Sequence, residues 1–258
     1  MSTLRARCPA CRTLTAVALG PEYQCHVCGR EFAAGLVRVP RAWGSGGDEM
    51  AAAAGLDLPY PEAAVLAEDS LEAQTLAIAA ALPERPLVVG GCCCAHVGAV
   101  EALSTRYERL AVVWLDAHGD LNTPETSPSG NAWGMPLRML IDSGAVAADD
   151  VCLVGARALD PPEQSFIAAA GIRLSADGIG GAIAGADGVY VALDCDSLDE
   201  VEVASFMPEP GGLTVDEVDA LFRGLAERAP VLGAGLSGLV PAERNRAPLT
   251  RLLVALGL

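Results

Sequence analysis

The sequence is poor in basic and aromatic residues. Of its 258 residues, 17 are lysine or arginine and 33 are aspartate or glutamate, and aromatic residues make up 4%. The formal net charge of −16 repels the phosphates of nucleic acids and anionic membranes. We therefore expect no nucleic acid and no membrane as a partner, and we expect metal ions and a small, polar, cationic substrate. The negative charge either attracts such cations or only keeps the protein soluble.

Long apolar runs and a secretory signal pattern are also missing. No uncharged apolar stretch reaches the ~18–20 residues that a membrane-spanning helix needs, and the first eight residues contain no apolar run. The nine cysteines, four of them in CxxC pairs and three consecutive, do not resemble a disulfide framework. These features predict a cytoplasmic protein with metal-bound and free thiols.

The hydrophobic pattern predicts an α/β domain that follows a small N-terminal module. Short apolar runs alternate with helical segments, which is typical of a parallel sheet covered on both faces. We predict strands at 86–90, 110–115, 151–154, 188–193 and 231–236, and helices at 62–82, 95–108, 135–143, 161–170, 214–228 and 248–257. Residues 36–60, rich in glycine, alanine and proline, are either a linker or the irregular start of the main domain at 36–258.

Four cysteines in residues 1–35 have the spacing of a zinc ribbon. They form Cys8-Pro-Ala-Cys11 and Cys25-His-Val-Cys28, separated by 13 residues. Two such knuckles supply four thiolates to one tetrahedral Zn²⁺, which substitutes for a hydrophobic core in so short a segment. A redox role for either pair is the alternative. A closed four-cysteine site is structural, so we assign it no catalysis.

Acidic clusters follow two of the predicted strands. Asp116-Ala-His118-Gly-Asp120 comes after one apolar run, and Asp194-Cys-Asp196 comes after another. Ligands bind beyond the carboxyl ends of parallel strands, and carboxylates crowded there repel one another unless cations lie among them. Carboxylate and imidazole ligands together suit Mn²⁺, Fe²⁺, Co²⁺ or Zn²⁺. The alternative is that these residues are ordinary turn and capping residues.

These motifs resemble those of the arginase/agmatinase/formiminoglutamase superfamily, the ureohydrolases. Asp116-Ala-His-Gly-Asp-Leu-Asn-Thr-Pro-Glu-Thr-Ser-Pro-Ser-Gly-Asn131 is similar to its signature loop, and Asp194-Cys-Asp-Ser-Leu-Asp199 is similar to its second metal motif. Gly155-Ala-Arg-Ala-Leu-Asp160-Pro-Pro-Glu163 and the Gly90-Gly91 pair also have counterparts. The resemblance covers roughly residues 85–258.

The resemblance implies a three-layer α/β/α domain that hydrolyses a C–N bond of a guanidino, amidino or related amide compound with one or two metal ions, usually Mn²⁺. Members often form homo-oligomers. By position, the metal ligands are Asp116, His118, Asp120, Asp194 and Asp196. Asp120 and His118 are then the catalytic residues. The implied substrate-binding residues are Asn122, Ser129 and Asn131 for a carboxylate, and Asp160 and Glu163 for an ammonium group.

Three positions depart from the family pattern. Cys93 replaces a histidine ligand, so either its thiolate binds Zn²⁺ or Fe²⁺, or His96 reaches the metal, or one metal site is lost. Trp133 replaces a proton-shuttling histidine, and it either stacks on a flat or cationic substrate or closes the pocket. Gly238 replaces the glutamate that binds guanidinium, with Glu243 five residues further along. These changes leave two alternatives: an inactive protein that binds metal or ligand for regulation, or a one-metal amidohydrolase.

Overall fold

A small antiparallel sheet forms the N-terminal part of the protein. In the computed structural model, the described residues are 5–6, 11, 13, 15–19, 22–32 and 34–258. The sheet has the strand order β1-β2-β3-β4, with β1 at Arg5–Ala6, β2 at Ala16–Leu19, β3 at Glu22–Cys25 and β4 at Glu31–Phe32. Cys11 and Cys25 lie in its small core, whereas Cys8 lies outside the described residues.

An eight-stranded parallel sheet forms the centre of the main domain. Its order is β10-β9-β8-β11-β12-β7-β5-β6, and all of its pairings are parallel. The strands are β5 Gly35–Val39, β6 Glu62–Val65, β7 Pro86–Gly90, β8 Leu110–Leu115, β9 Val151–Val154, β10 Arg173–Leu174, β11 Gly188–Asp194 and β12 Val231–Ser237.

Helices cover both faces of this sheet. They are α1 Asp48–Ala53, α2 Leu71–Ala81, α3 Ala95–Ser104, α4 Pro136–Asp142, α5 Pro161–Ala170, α6 Ile179–Ala182, α7 Val215–Ala226 and α8 Arg246–Ala255. Alternate residues of β8 face opposite sides: Val113 packs in a core with α1, α6, α7 and α8, and Val112 packs in a second core with α2, α3, α4 and α5. This is the predicted three-layer α/β/α fold.

The first predicted helix of the main domain is wrong in its N-terminal part. Glu62–Val65 is a strand at the edge of the sheet, paired with β5. The helix begins only after Ser70, whose Oγ accepts a hydrogen bond from the backbone N–H of Ala73. Pairing with β5 overrides the helical propensity of Glu62-Ala-Ala, because β5 offers an otherwise open edge.

Residues 36–60 are not a linker. β5 lies inside the sheet, between β6 and β7, and α1 follows it. The other predicted strands and helices are confirmed, with shifts of one to four residues at some ends.

Among the described residues, no helix is long and apolar enough to span a bilayer.

Candidate active site

Four neighbouring strands bring the predicted metal ligands together. β8, β11, β12 and β7 are adjacent in the sheet and parallel, so their carboxyl ends meet at one edge. Asp116 follows β8 directly, Asp194 ends β11, Gly238 follows β12, and Cys93 lies three residues beyond β7. The order of these strands in the sheet therefore brings residues from motifs that are far apart in the sequence into one cleft.

The first group of potential ligands comprises Cys93, Asp116 and Asp120, whose ligand atoms lie within 4.8 Å of one another. The Cys93 Sγ lies 2.8 Å from Asp194 Oδ2 and 4.0 Å from Asp116 Oδ2. All four side chains are buried. The thiol that replaces the family's histidine therefore points at the carboxylates, as a ligand at this position must.

The second group comprises Asp116, His118 and Asp196 and shares Asp116 with the first. The His118 Nδ1 lies 2.9 Å from Asp196 Oδ2 and 3.5 Å from Asp116 Oδ1. On the other side of the ring, Nε2 lies 3.9 Å from Glu209 Oε1. At 3.9 Å this contact is too long for a hydrogen bond, so Glu209 lies near the ring without fixing its tautomer.

The electrostatics of the cluster fit divalent cations. Burial, followed by repulsion from Asp116 and Asp194, raises the pKa of Asp120 well above its usual value. Burial and Asp196 raise the pKa of Asp194 to about 7. Burial lowers the pKa of His118, but its hydrogen bonds to Asp116 and Asp196 outweigh this and raise it to about 12. Without a cation, the crowded charges must be neutralised by protons.

Asp120 provides the most direct sign of a cation site. Its Oδ2 is buried and has no hydrogen-bond partner, and a buried carboxylate oxygen without a partner is costly. Its backbone has a φ of 53°, a conformation that few residues other than glycine adopt. Strain of this kind persists only where the surroundings enforce it. A metal ion beside Asp120 accounts for the free oxygen.

Buried side chains hold the ligands from behind. His96, an alternative ligand from the sequence, has its Nδ1 3.0 Å from the Tyr190 hydroxyl and its Nε2 3.1 Å from the Ser237 hydroxyl. Ser237 in turn donates to Asp194 Oδ2 at 3.1 Å. His96 therefore supports Asp194, a predicted ligand, through Ser237 and is not part of either ligand group. Burial lowers its pKa to about 3, so it is neutral.

Sequence reasoning missed the supporting residues Ser237, Tyr190 and Trp114. The Trp114 Nε1 donates to Asp116 Oδ2 at 3.1 Å, and both side chains are buried. A period-two pattern places alternate strand residues on one face, but all residues of β8 and β11 are buried. No polar–apolar alternation therefore marks which of these side chains reaches a ligand.

A cavity of about 470 Å³ lies above the cluster. All six predicted metal ligands line it. Of the predicted substrate-binding residues, five line the cavity, namely Asn122, Ser129, Trp133, Asp160 and Glu163. Asn131 is not among the lining residues, and its Oδ1 accepts a hydrogen bond from the backbone N–H of Ser45 at 2.9 Å.

The carboxylates of Asp160 and Glu163 already have local partners. Together they form the capping box of α5. The Glu163 oxygens accept from the backbone N–H groups of Leu121 at 3.0 Å and Asp160 at 2.9 Å, and the Asn122 amide donates to Asp160 Oδ2 at 2.9 Å. These contacts tie the signature loop to the start of α5.

Comparison with known proteins identifies the family. A model of the arginase family matches residues 42–256. The chain belongs to the arginase family. Arginase of Bacillus caldovelox is 36% identical over 190 residues, which are 62% of this chain and 64% of that protein. Arginase of Brevibacillus brevis is 31% identical over 198 residues, 66% of either chain. The aligned part is thus less than two thirds of the length of these curated relatives.

Solved structures show the same fold. The crystal structure of Bacillus subtilis arginase superposes with a TM-score of 0.76 at 23% identity, over 86% of this chain and 97% of that one. Proclavaminate amidino hydrolase from Streptomyces clavuligerus gives 0.68 at 21% identity, over 86% and 88%. At these identities the likeness shows that the arginase fold is shared.

In this arginase-family chain, Gly238 occupies the position where the family pattern has a guanidinium-binding glutamate, and apolar side chains lie beside it. Gly238 has a φ of +66°, and a Cβ there would lie 2.5 Å from Asp194 Oδ2 and nearer still to Oδ1. Glu243 is 81% exposed and pairs with Arg246, so it does not replace that glutamate. Trp133 packs edge to face on Phe206, with ring centroids 6.0 Å apart.

Arg157 anchors one rim of the cavity. Its guanidinium donates to the backbone carbonyls of Asp196 at 2.7 Å, Glu209 at 2.8 Å and Pro210 at 2.9 Å. Arg157 therefore joins the second metal motif to the segment that carries Glu209. Its donors are spent on backbone, and it has a structural role in this arginase-family chain.

The N-terminal cysteines that the structure describes also converge. Ligand atoms of Cys11, Cys25 and Cys28 lie within 4.8 Å of one another, and the Cys11 and Cys25 sulfurs are 3.5 Å apart. Hydrogen bonds from Thr15 and from the backbone of Cys28 lower the pKa of Cys25 to about 5. A low thiol pKa favours the thiolate, which is the form that binds metal.

Proposed function

We propose that this chain is a divalent-metal-dependent hydrolase that cleaves a C–N bond of an amidino or related amide group in a small molecule. The observation that carries the proposal is the convergence of two ligand groups on one cavity. The unpartnered Oδ2 of Asp120 supports it. The arginase-family membership supports the same class of reaction, which includes the hydrolysis of linear amidines.

In this proposal, Cys93, Asp116, Asp120, His118, Asp194 and Asp196 would hold two divalent ions. Cys93 and Asp120 would belong to one site and His118 and Asp196 to the other, with Asp116 and Asp194 available to both. The four carboxylates and the Cys93 thiolate carry a charge of −5, of which two divalent ions would neutralise four. When bound, such ions lower the pKa of a coordinated water and so supply a nucleophile at neutral pH.

The chain's own groups then orient the reactants and move the proton. The Asp120 carboxylate is buried at the cavity floor, where the oxygen that is not bound to an ion would accept a proton from the attacking water and return it to the leaving nitrogen. Such proton transfer contributes roughly 10²–10⁴-fold to a rate. His118 is held by Asp196 on one side, with Glu209 behind it. Trp133 cannot carry protons, so Asp120 has no second shuttle at that wall.

The proposed metal is Zn²⁺ or Fe²⁺, because Cys93 is among the proposed ligands. Mn²⁺ is the family's usual ion, but a thiolate ligand prefers Zn²⁺ or Fe²⁺. The 2.8 Å contact between Cys93 Sγ and Asp194 Oδ2 supports ligation by sulfur. The engagement of both His96 nitrogens argues against the alternative that His96 binds the metal. Two ligand groups favour two ions, although a one-metal amidohydrolase stays an alternative.

A catalytically inactive regulatory protein is the second candidate function. It is favoured by Trp133 and Gly238, which replace chemically active residues of the family pattern. Tight binding of metal and small ligands without turnover, under every metal tested, is its expected signature.

The experiment measures ammonia, amine and urea release from amidino and amide compounds by protein loaded with Mn²⁺, Zn²⁺ or Fe²⁺. Asp120→Asn is expected to lower kcat about 100-fold or more, because general acid–base catalysis is lost. Asp177→Asn, an exposed change outside the cavity, is the matched control. Absence of product with every metal, or full activity of Asp120→Asn, contradicts the proposal.

For the N-terminal segment, we propose a structural Zn²⁺ held by Cys8, Cys11, Cys25 and Cys28 within a ribbon at residues 1–35. The convergence of three of these thiols supports it. Residence in the cytoplasm and assembly into a homo-oligomer stay predictions from the sequence.

A further inference from the structure

Among the residues that the structure describes, the cavity offers no free carboxylate for a cationic reacting group. A guanidinium or amidinium is recognised by a carboxylate that accepts two parallel N–H bonds. Position 238 cannot supply one, since a Cβ there collides with Asp194. Asp160 and Glu163 serve the capping box of α5. Among the described lining residues, the other carboxylates are the proposed metal ligands.

The same part of the cavity has an apolar surface. Phe206 is fixed beside Gly238, because its backbone N–H donates to the Gly238 carbonyl at 2.8 Å. Phe206 packs on Trp133 at 6.0 Å, and both belong to a cluster with Met50. Met207, 43% exposed, extends this lining toward solvent. Met50, Trp133, Phe206 and Met207 all line the cavity.

The missing carboxylate and the apolar surface together disfavour a substrate whose reacting group is a cation. A guanidinium carries five N–H donors and an amidinium four, and each donor buried without an acceptor loses its hydrogen bonds to water, a loss that is larger when the donor is charged. An uncharged carboxamide brings fewer donors and no net charge. Aromatic and methionine side chains gain free energy by covering an apolar substituent.

We propose that the substrate is an uncharged carboxamide joined to an apolar or aromatic substituent, with Phe206 and Trp133 as the residues that determine this specificity. The inference rests on the proposed hydrolase function and selects the amide over the amidino group. It also departs from the predicted cationic substrate. In the reaction, water adds to the amide carbon and the C–N bond breaks. The nitrogen takes up a proton that water releases, so R–CO–NH₂ and H₂O give R–COOH and NH₃.

A matched pair of ligands tests the charge preference. 4-Phenylbutanamide and 4-phenylbutanamidine have the same shape, but only the amidine is a cation at neutral pH. Calorimetric binding to the full-length, metal-loaded protein is expected to be at least tenfold tighter for the amide. Equal binding, or tighter binding of the amidine through the faces of the aromatic rings, overturns the proposal.

Adding a carboxylate to the apolar surface should reverse the preference. Phe206→Glu and, as a second variant on the more exposed neighbour, Met207→Glu are expected to bind the amidine at least tenfold tighter than wild type does. Val201→Glu is the matched control, since Val201 is 77% exposed on the same segment and does not line the cavity. If neither cavity variant changes the ratio of the two affinities relative to Val201→Glu, the assigned surface is wrong.

Binding and turnover separate this inference from the function on which it rests. Amide-selective binding without ammonia release supports the specificity and contradicts the hydrolase. Hydrolysis of amidines in preference to amides supports the hydrolase and overturns the specificity.

Discussion

Substituting Gly238 by alanine tests whether this position must lack a side chain so that Asp194 can act as the proposed metal ligand. The new Cβ would lie 2.5 Å from Asp194 Oδ2 and 2.6 Å from its Cγ. The carboxylate has little freedom to move away. It is held by Cys93 at 2.8 Å, by Ser237 at 3.1 Å, and by the backbone N–H of Asp196 at 3.1 Å.

Two effects add in Gly238→Ala. A φ of +66° costs an L-residue about 1–2 kcal/mol, and displacement of Asp194 weakens metal binding. Disturbing the groups that orient a ligand typically lowers metal affinity by about 10–100-fold, and moving a shared ligand should cost at least as much. Gly171→Ala is the matched control, because Gly171 has a φ of +70° and a Cβ there would have no atom within 4 Å.

The assay combines urea unfolding of the metal-free protein with titration of Zn²⁺ or Mn²⁺. Both variants should lose about 1–2 kcal/mol of unfolding free energy from the backbone. Only Gly238→Ala should lose further stability and metal affinity. Metal affinity of Gly238→Ala equal to that of Gly171→Ala would refute the reasoning.

Two further predictions address the side chains that support the site, and a third addresses the N-terminal cysteines. Burial lowers the pKa of His96 to about 3. Between pH 6.5 and pH 3, His96 is therefore protonated in the unfolded state and neutral in the folded state. The free energy of unfolding falls as the pH falls through this range. Below pH 6, the free energy of unfolding of wild type in urea should fall by up to about 1.4 kcal/mol per pH unit more than that of His96→Gln. Parallel pH profiles of the two proteins would contradict this. Arg157→Met should lower the free energy of unfolding by roughly 1–3 kcal/mol. It should also speed proteolysis within residues 199–212, because the hydrogen bonds of Arg157 to the Asp196 and Glu209 carbonyls are lost. An unchanged digestion pattern would count against that role. Cys25→Ser should remove one Zn²⁺ per chain in elemental analysis and leave the cavity ions in place, whereas loss of cavity ions would show that the two sites are coupled.

The sequence predicts the central fold well because its strands are short, apolar and bounded by turn residues. β7, β8 and β9 have the predicted limits. The edge of the sheet was harder to predict. β6, with the sequence Glu-Ala-Ala-Val and two exposed residues, has helical composition, and only its pairing with β5 makes it a strand.

The convergence of the acidic side chains was predictable, because Asp and His at the ends of neighbouring parallel strands form a specific pattern. The residues that surround them were not predictable. The contact of Ser237 with His96 joins β12 to α3, and 141 residues separate the two along the chain. The positive φ of Gly238 and its closeness to Asp194 likewise depend on the register between β11 and β12, which no local pattern reveals.

Metal content per chain tests the central claim most directly. Elemental analysis of purified wild type should find three ions, two in the cavity and one bound by the N-terminal cysteines. Cys93→Ala should lose about one of them, and Cys94→Ala, a buried neighbour outside both ligand groups, should lose none. A wild type whose single tightly held ion disappears in Cys25→Ser, or a Cys93→Ala protein with an unchanged count, would contradict the account.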